Sequence, residues 1–257
     1  MRIFFLSAGD DVFLPRFYDK VFAESKHDIC GVAVVDDPHF KRFLLASLKF
    51  MGWRLFFSEV FHQVILKIKN MLYKIFMSSK ITSIENICQK YNVDFLTAKK
   101  INTKAFRNFL QTIQVDVLVS VACPQILKKK ILEIPSKAAI NVHYALLPRY
   151  RGQYPSFWVL AKGEEYTGVS VHYMAEKIDA GEILVQIKEK IETDDTFYSL
   201  VGRLKTTIGP DALLQALGKI ADGDMTGLPN DIDSGSYFSF PTREDMIGFL
   251  QRGRKWR

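Results

Sequence analysis

The sequence predicts an α/β fold of Rossmann-like type: a mostly parallel, doubly wound sheet, with a helical insertion and a short C-terminal extension. Three observations predict it. Short apolar runs rich in β-branched residues recur through the first half of the chain. Stretches of helical period separate them. Within the runs, strict in–out alternation is missing, as expected of strands covered on both faces. With 257 residues, 48% of them apolar, the chain can build one large core.

Residues 3–9, closed by Gly9, form the first expected strand, and 17–24 the first helix. The apolar run before Ser7 is short and Asp10 and Asp11 follow at once, so a buried strand is expected there rather than a leader peptide. Residues 31–36, 92–97 and 115–121 are the next strands, the last two preceded by helices starting near Ser83 and Thr103, the latter a good N-cap. A fifth strand begins at Ala138 and carries Asn141 and His143. A helix over 154–161 has Pro155 in its first turn, where the missing N–H costs nothing. Residues 167–174 and 182–188 read as a strand pair. A helical period over 196–220 is expected to kink or split at Pro210. The division expected is a catalytic domain over 1–205, interrupted by a helical insertion at 43–80, then a C-terminal helix and extension over 206–257.

The insertion is the least ordinary stretch. Residues 43–77 are aromatic-rich and amphipathic, but charges break the apolar run well short of the ~20 residues needed to cross a bilayer. Two helices packed on the domain or on a partner are expected, with a membrane-surface helix as the alternative.

Lys and Arg outnumber Asp and Glu by 35 to 28, giving a net charge of +7 that favours anionic partners without choosing among them. Cys30, Cys88 and Cys123 lie far apart, which excludes a disulfide framework and metal-ligand spacing, so no metal is expected and a reducing compartment, the cytoplasm, is.

The most informative stretch runs from Asn141 to Gly152. Residues i and i+2 of a strand share a face, so Asn141 and His143 face one cavity at a strand's carboxyl end, where such sheets bind ligands. Asp179, in a later loop, can hold the imidazole in one tautomer, and the Asn141 amide can donate to a developing oxyanion. The three suffice for acyl transfer to an amine. Cys123 as a nucleophile is the rival, but a small packed residue is the plainer reading of it. His172 lies on a strand without an evident partner.

Asn141-x-His143, Leu146-Leu-Pro148-Arg-Tyr-Arg-Gly152, Thr167-Gly-Val and Ile178-Asp179-x-Gly181-x-Ile183-Leu184 together resemble the folate-dependent formyltransferase family, most strongly over 115–186. That family includes glycinamide ribonucleotide, methionyl-tRNA and sugar N-formyltransferases. The resemblance implies 10-formyltetrahydrofolate as donor, a primary amine as acceptor, and Asn141, His143 and Asp179 as the catalytic set. It also implies a pterin pocket with one wall from Cys123, Pro124, Gln125, Ile126 and Leu127 and another from the segment that includes Glu176 and Lys177. Of the acceptors, a nucleotide-linked amino sugar is expected, its phosphates met by Arg149, Arg151 or Lys162, with Tyr154 placed to stack on a base or sugar or to pack on the sheet. Nucleic acid is not expected, because only about 50 residues follow Thr206, few for an RNA-binding domain. A formate-releasing hydrolase acting on formyltetrahydrofolate and a non-enzymatic folate- or nucleotide-binding module are the other readings. Pairing with a second copy of the chain stays open.

Overall fold

A computed structural model describes residues 1–76 and 83–257, so the end of the expected insertion, residues 77–80, lies outside the described residues. The chain runs β1 (Arg2–Ser7), α1 (Leu14–Glu24), β2 (Asp28–Val35), α2 (Phe40–Met51), α3 (Trp53–Phe76), α4 (Ile84–Lys90), β3 (Phe95–Ala98), α5 (Lys104–Thr112), β4 (Val117–Val121), α6 (Lys129–Leu132) and β5 (Ala138–His143). It continues through β6 (Arg151–Gly152), α7 (Pro155–Lys162), β7 (Tyr166–Tyr173), β8 (Ile183–Lys190), α8 (Phe197–Arg203), a π-helical turn (Leu204–Ile208), α9 (Gly209–Ala221), β9 (Tyr237–Phe238) and α10 (Arg243–Gln251).

Seven strands form one sheet in the order β3-β2-β1-β4-β5-β7-β8. The first five are parallel; β7 and β8 add to the edge antiparallel. The doubly wound expectation therefore holds, and the sheet is covered on both faces. Ile3 and Phe5 of β1 enter one core cluster, Phe4 and Leu6 the other. Such continuous burial explains why the strands carry apolar runs rather than alternation.

Three strand starts differ from expectation for local reasons. β3 begins at Phe95 rather than 92 because Asn92 adopts the left-handed conformation (φ +54°) as the chain leaves α4. β4 begins at Val117 rather than 115: Gln114 is left-handed (φ +50°), and the Asp116 carboxylate turns to the Arg2 N–H. β2 starts earlier than expected, at Asp28, in register with Arg2. The expected cap at Thr103 forms, its Oγ1 accepting from Phe106 N, and Ser83 Oγ also caps its helix by accepting from Asn86 N.

The helical run does not split at Pro210. Leu204–Ile208 widens into a π-turn and Pro210 falls in the first turn of α9. The wider turn takes up the place where the proline ring would press on the preceding carbonyls. The helical run passes without interruption across 205–206, where the domain division was expected.

The C-terminal segment closes back on the domain. β9 pairs parallel with β6, Arg151 opposite Tyr237. Trp256 stacks on Phe197 at 4.1 Å, and Arg257 reaches Glu59 of α3 at 2.7 Å. The insertion's two helices thus attach to the tail. No helix among the described residues is long and apolar enough to cross a membrane.

Candidate active site

β5 delivers Asn141 and His143 to one face at its carboxyl end, as their spacing requires. Antiparallel pairing with β7 sets Asn141 directly opposite His172. Beyond β5 the chain turns through the cis Leu147–Pro148 peptide into a loop pinned from the sheet. Ser170 Oγ accepts from Leu147 N and donates to Ala145 O, while Gln186 Nε2 donates to Leu147 O. These bonds hold the loop so that the Tyr150 carbonyl meets His143.

Asp179 reaches the same cavity from the β7–β8 connection. It adopts a left-handed conformation (φ +49°), which acidic and amide residues tolerate better than most. Asn230 Nδ2 holds that turn by donating to the carbonyls of Asp179 and Gly181, each at 2.9 Å. The carboxylate Oδ2 accepts from Gly152 N at 2.8 Å and stands 3.5 Å from His143 Nδ1; Oδ1 stands 3.5 Å from His172 Nε2.

The backbone carbonyls assign the imidazole protons, because a carbonyl only accepts. His143 Nε2 donates to Tyr150 O at 2.9 Å, so its Nδ1, facing Asp179, is the atom left to take up a proton. His172 Nδ1 donates to Tyr173 O at 2.8 Å, so its Nε2 accepts from Asn141 Nδ2 at 3.2 Å. One N–H of the Asn141 amide is thereby fixed and the other has no partner among the described residues.

Burial pushes the His143 pKa below its ordinary value, against the opposing pull of Asp179, so the ring is neutral at pH 7. Burial alone would raise Asp179, but the nearby imidazoles and the Gly152 N–H outweigh it and bring its pKa down to about 2. A neutral base therefore sits beside a permanent negative charge, the imidazole buried and the carboxylate partly buried. Proton uptake at Nδ1 creates an ion pair at once, the arrangement of a general base.

The remaining expected residues fall into two groups. Ile126, Leu127 and Glu176 line a groove of about 580 Å³ together with Arg107 and Lys128–Lys130, so both stretches expected to wall a pterin meet in one groove. Gln125 ties the ends of β2 and β3 together: its Nε2 donates to the carbonyls of Asp36 and Lys99, each at 2.8 Å. Burial pushes the Cys123 thiol up to about 11, which keeps it protonated and removes it as a nucleophile. Pro124 stays in the same turn, and Lys177 makes no hydrogen bond or ion pair among the described residues. Of the expected phosphate-side residues, Arg149 is held by Glu164, which also accepts from Tyr150 Oη. Arg151 is buried, its Nε unpartnered and its guanidinium 6.0 Å from the Tyr237 ring. Tyr154 belongs to an aromatic cluster with Phe50, Phe197 and Phe240 rather than to the catalytic group.

Sequence reasoning missed His172, Asn230 and the two backbone groups at Tyr150 and Gly152. A signal for His172 exists: on an antiparallel β7 it is the residue that pairs with Asn141. It is readable only once the strand direction is known. Nothing local marks Asn230, 51 residues beyond Asp179.

A parallel sheet carries a carboxamide, two imidazoles and an ionised carboxylate at its carboxyl edge, groups that can bind a polar ligand and move a proton. The formyl transferase family model matches residues 64–217, and the chain belongs to that family. It is 33% identical over 173 residues to the methionyl-tRNA formyltransferase of Staphylococcus aureus strain Newman, covering 67% of this chain and 55% of that one. The chain thus spans about half the length of the methionyl-tRNA relatives it matches. Among solved structures, a sugar N-formyltransferase from Shewanella sp. superposes with a TM-score of 0.62 at 17% identity, over 98% of this chain and 87% of the other. The formyltransferase PseJ of Anoxybacillus kamchatkensis, solved with UDP-4,6-dideoxy-4-formamido-L-AltNAc and tetrahydrofolate, gives 0.51 at 26% identity, over 63% of this chain and 82% of the other.

Proposed function

We propose that the chain moves a formyl group from 10-formyltetrahydrofolate to a primary amine, that of a nucleotide-linked amino sugar. The observation that carries the reading is the contact of His143 Nδ1 with Asp179 Oδ2 at 3.5 Å, beside Asn141 on the same strand. The groove lined by Ile126, Leu127 and Glu176 suits the donor. Apolar Ile126 and Leu127 can enclose a flat ring, and Arg107 with Lys128–Lys130 can meet carboxylates. When bound, the folate supplies an acyl carbon attached to nitrogen.

The chain's residues then have distinct tasks. His143 Nδ1 takes the proton from the amine as its nitrogen bonds to the formyl carbon. The free N–H of Asn141 faces the formyl oxygen as charge gathers there. Asp179 holds the imidazolium in place, and the same proton passes to the leaving folate nitrogen as the old C–N bond breaks. Atoms and charge balance without a metal.

The sugar reading is supported by the PseJ likeness and by buried Arg151, whose unpartnered guanidinium nitrogen suits a phosphate. The identity to methionyl-tRNA formyltransferases favours a second acceptor, the methionyl-tRNA amine. Assay with a UDP-linked 4-amino sugar, with methionyl-tRNA and with glycinamide ribonucleotide separates them. Formate release with no amine present would turn the reading to a hydrolase. Transfer to none of the amines by the wild-type chain, with folate still bound, would leave only a binding module.

A further inference from the structure

We propose that the outward face of α2 and α3 docks on an anionic phospholipid surface. α3 has two apolar sides. One faces the fold: Phe56 is buried, and Glu59 is buried and paired with Arg257 and Tyr198. The other has no partner among the described residues. Trp53, Phe57, Val60, Phe61, Val64 and Ile68 recur at spacings of three and four, which confines them to one stripe of a helix. All six are exposed, Trp53 and Phe61 by about two thirds (65% and 66%). Phe40, Leu44 and Leu45 of α2 add to the exposed apolar surface. Soluble monomers rarely leave so large a continuous apolar surface open without using it.

Charge selects the occupant. Between Phe40 and Ile65 the cations are Lys41, Arg42, Lys49 and Arg54, and the one acid is Glu59, already neutralised by Arg257. None of the four cations forms an ion pair with a described residue. A second copy of the chain docking through this face would set cations against cations with no acid to answer them. An anionic headgroup layer answers them all, while the stripe enters the acyl boundary and Trp53, 5.2 Å from the Arg54 guanidinium, sits at the interface. Neither described helix is long and apolar enough to span, so the contact is one of lying on the surface. This docking is independent of the formyl-transfer reading.

The test is flotation of the full chain with vesicles of phosphatidylglycerol and phosphatidylcholine, against phosphatidylcholine alone. Wild type is expected to float with the anionic vesicles and less in 0.5 M salt, where the screening length falls to about 4 Å. The variant Trp53→Ser/Phe57→Ser/Phe61→Ser should stay in the bottom fraction. Neutralising Lys41, Arg42 and Arg54 to Gln should weaken partition roughly fivefold for each cation. Trp158 and Trp256 are buried, so a blue shift of tryptophan emission on adding vesicles reports Trp53. Circular dichroism confirms that each variant is folded. Wild type remaining at the bottom with anionic vesicles overturns the proposal. So does a dimer in sedimentation equilibrium that the serine variant dissolves while vesicles fail to bind.

Discussion

At the scale of single residues, the site depends on a neutral imidazole next to a fixed charge. His143 has a pKa held below 6.5 by burial, so the protonated fraction is small at pH 7 and grows as pH falls. The rate kcat/KM should be level above neutral pH and decline on the acid side with a midpoint below 6.5. Asp179, with a pKa of about 2, is ionised throughout and cannot supply that limb. Replacing it, Asp179→Asn, removes the charge that props up the imidazole, so the limb should move to still lower pH while the plateau falls roughly 10²–10⁴-fold. A pH–rate profile checks both, and a wild-type midpoint above 6.5 would contradict the assignment. The same carboxylate contributes to stability. Its folded pKa lies below the ordinary 3.8, so about 2 kcal/mol is present at neutral pH and is lost as pH falls from 3.8 towards 2. His172 acts one step back, by accepting from Asn141. His172→Ala should lower kcat by about tenfold with KM little changed, because the carboxamide loses its fixed direction and not its presence. A rise confined to KM would assign His172 to substrate binding instead.

At the scale of elements, a two-residue strand pair sets the position of the acid. Gly152 has φ +96°, and a Cβ there would collide with the Phe238 carbonyl across the β6–β9 pair. Its N–H is also the donor to Asp179. Gly152→Ala should therefore cost about 3 kcal/mol, read as a fall of roughly 6–12 °C in Tm, and should depress activity beyond what the lost stability explains. Activity intact at a lowered Tm would separate the pairing from the site. Much of this was legible beforehand where the signal is local. Thr103 announces its helix by capping, and Asn141 and His143 share a face because a strand has period two. What was not legible is what crosses the sheet. The antiparallel turn that brings His172 to Asn141 depends on which edge β7 joins, and a strand's own residues do not encode its direction. Nor can two-residue strands such as β6 and β9 carry a periodic signal. The late starts of β3 and β4 come from left-handed Asn92 and Gln114, residues that tolerate that conformation but do not require it.

At the scale of the whole molecule, the helical pair and the C-terminal segment behave as one strap, and the strap leads back to the site. Phe50 of α2, 1% exposed, meets Tyr154, Phe157, Phe240 and Trp256 edge-on, with ring centroids 5.1–6.5 Å apart. From Phe240 the chain runs back two residues to Phe238 of β9, which pairs with Gly152, which holds Asp179. The division of the chain into a domain and a trailing extension therefore understates how the tail works. It supplies Asn230 and Ser236 to the site loops and Trp256 to the core. Removing one ring from the middle of this box leaves a cavity that the rigid sheet beneath cannot close. Phe50→Ala should cost about 3–5 kcal/mol. It should also speed amide hydrogen exchange in α2, α10 and β9 together, because Phe157, which stacks on Phe249 of α10, and Phe240, two residues beyond β9, both lose the same ring. Trp53→Ser, three residues on but facing outward, should change stability by no more than about 0.5 kcal/mol. The pair measures the two sides of the helical insertion against each other. Faster exchange in α2 alone after Phe50→Ala, with β9 and α10 unmoved, would show the tail to be anchored independently and would cut the path from the insertion to Asp179.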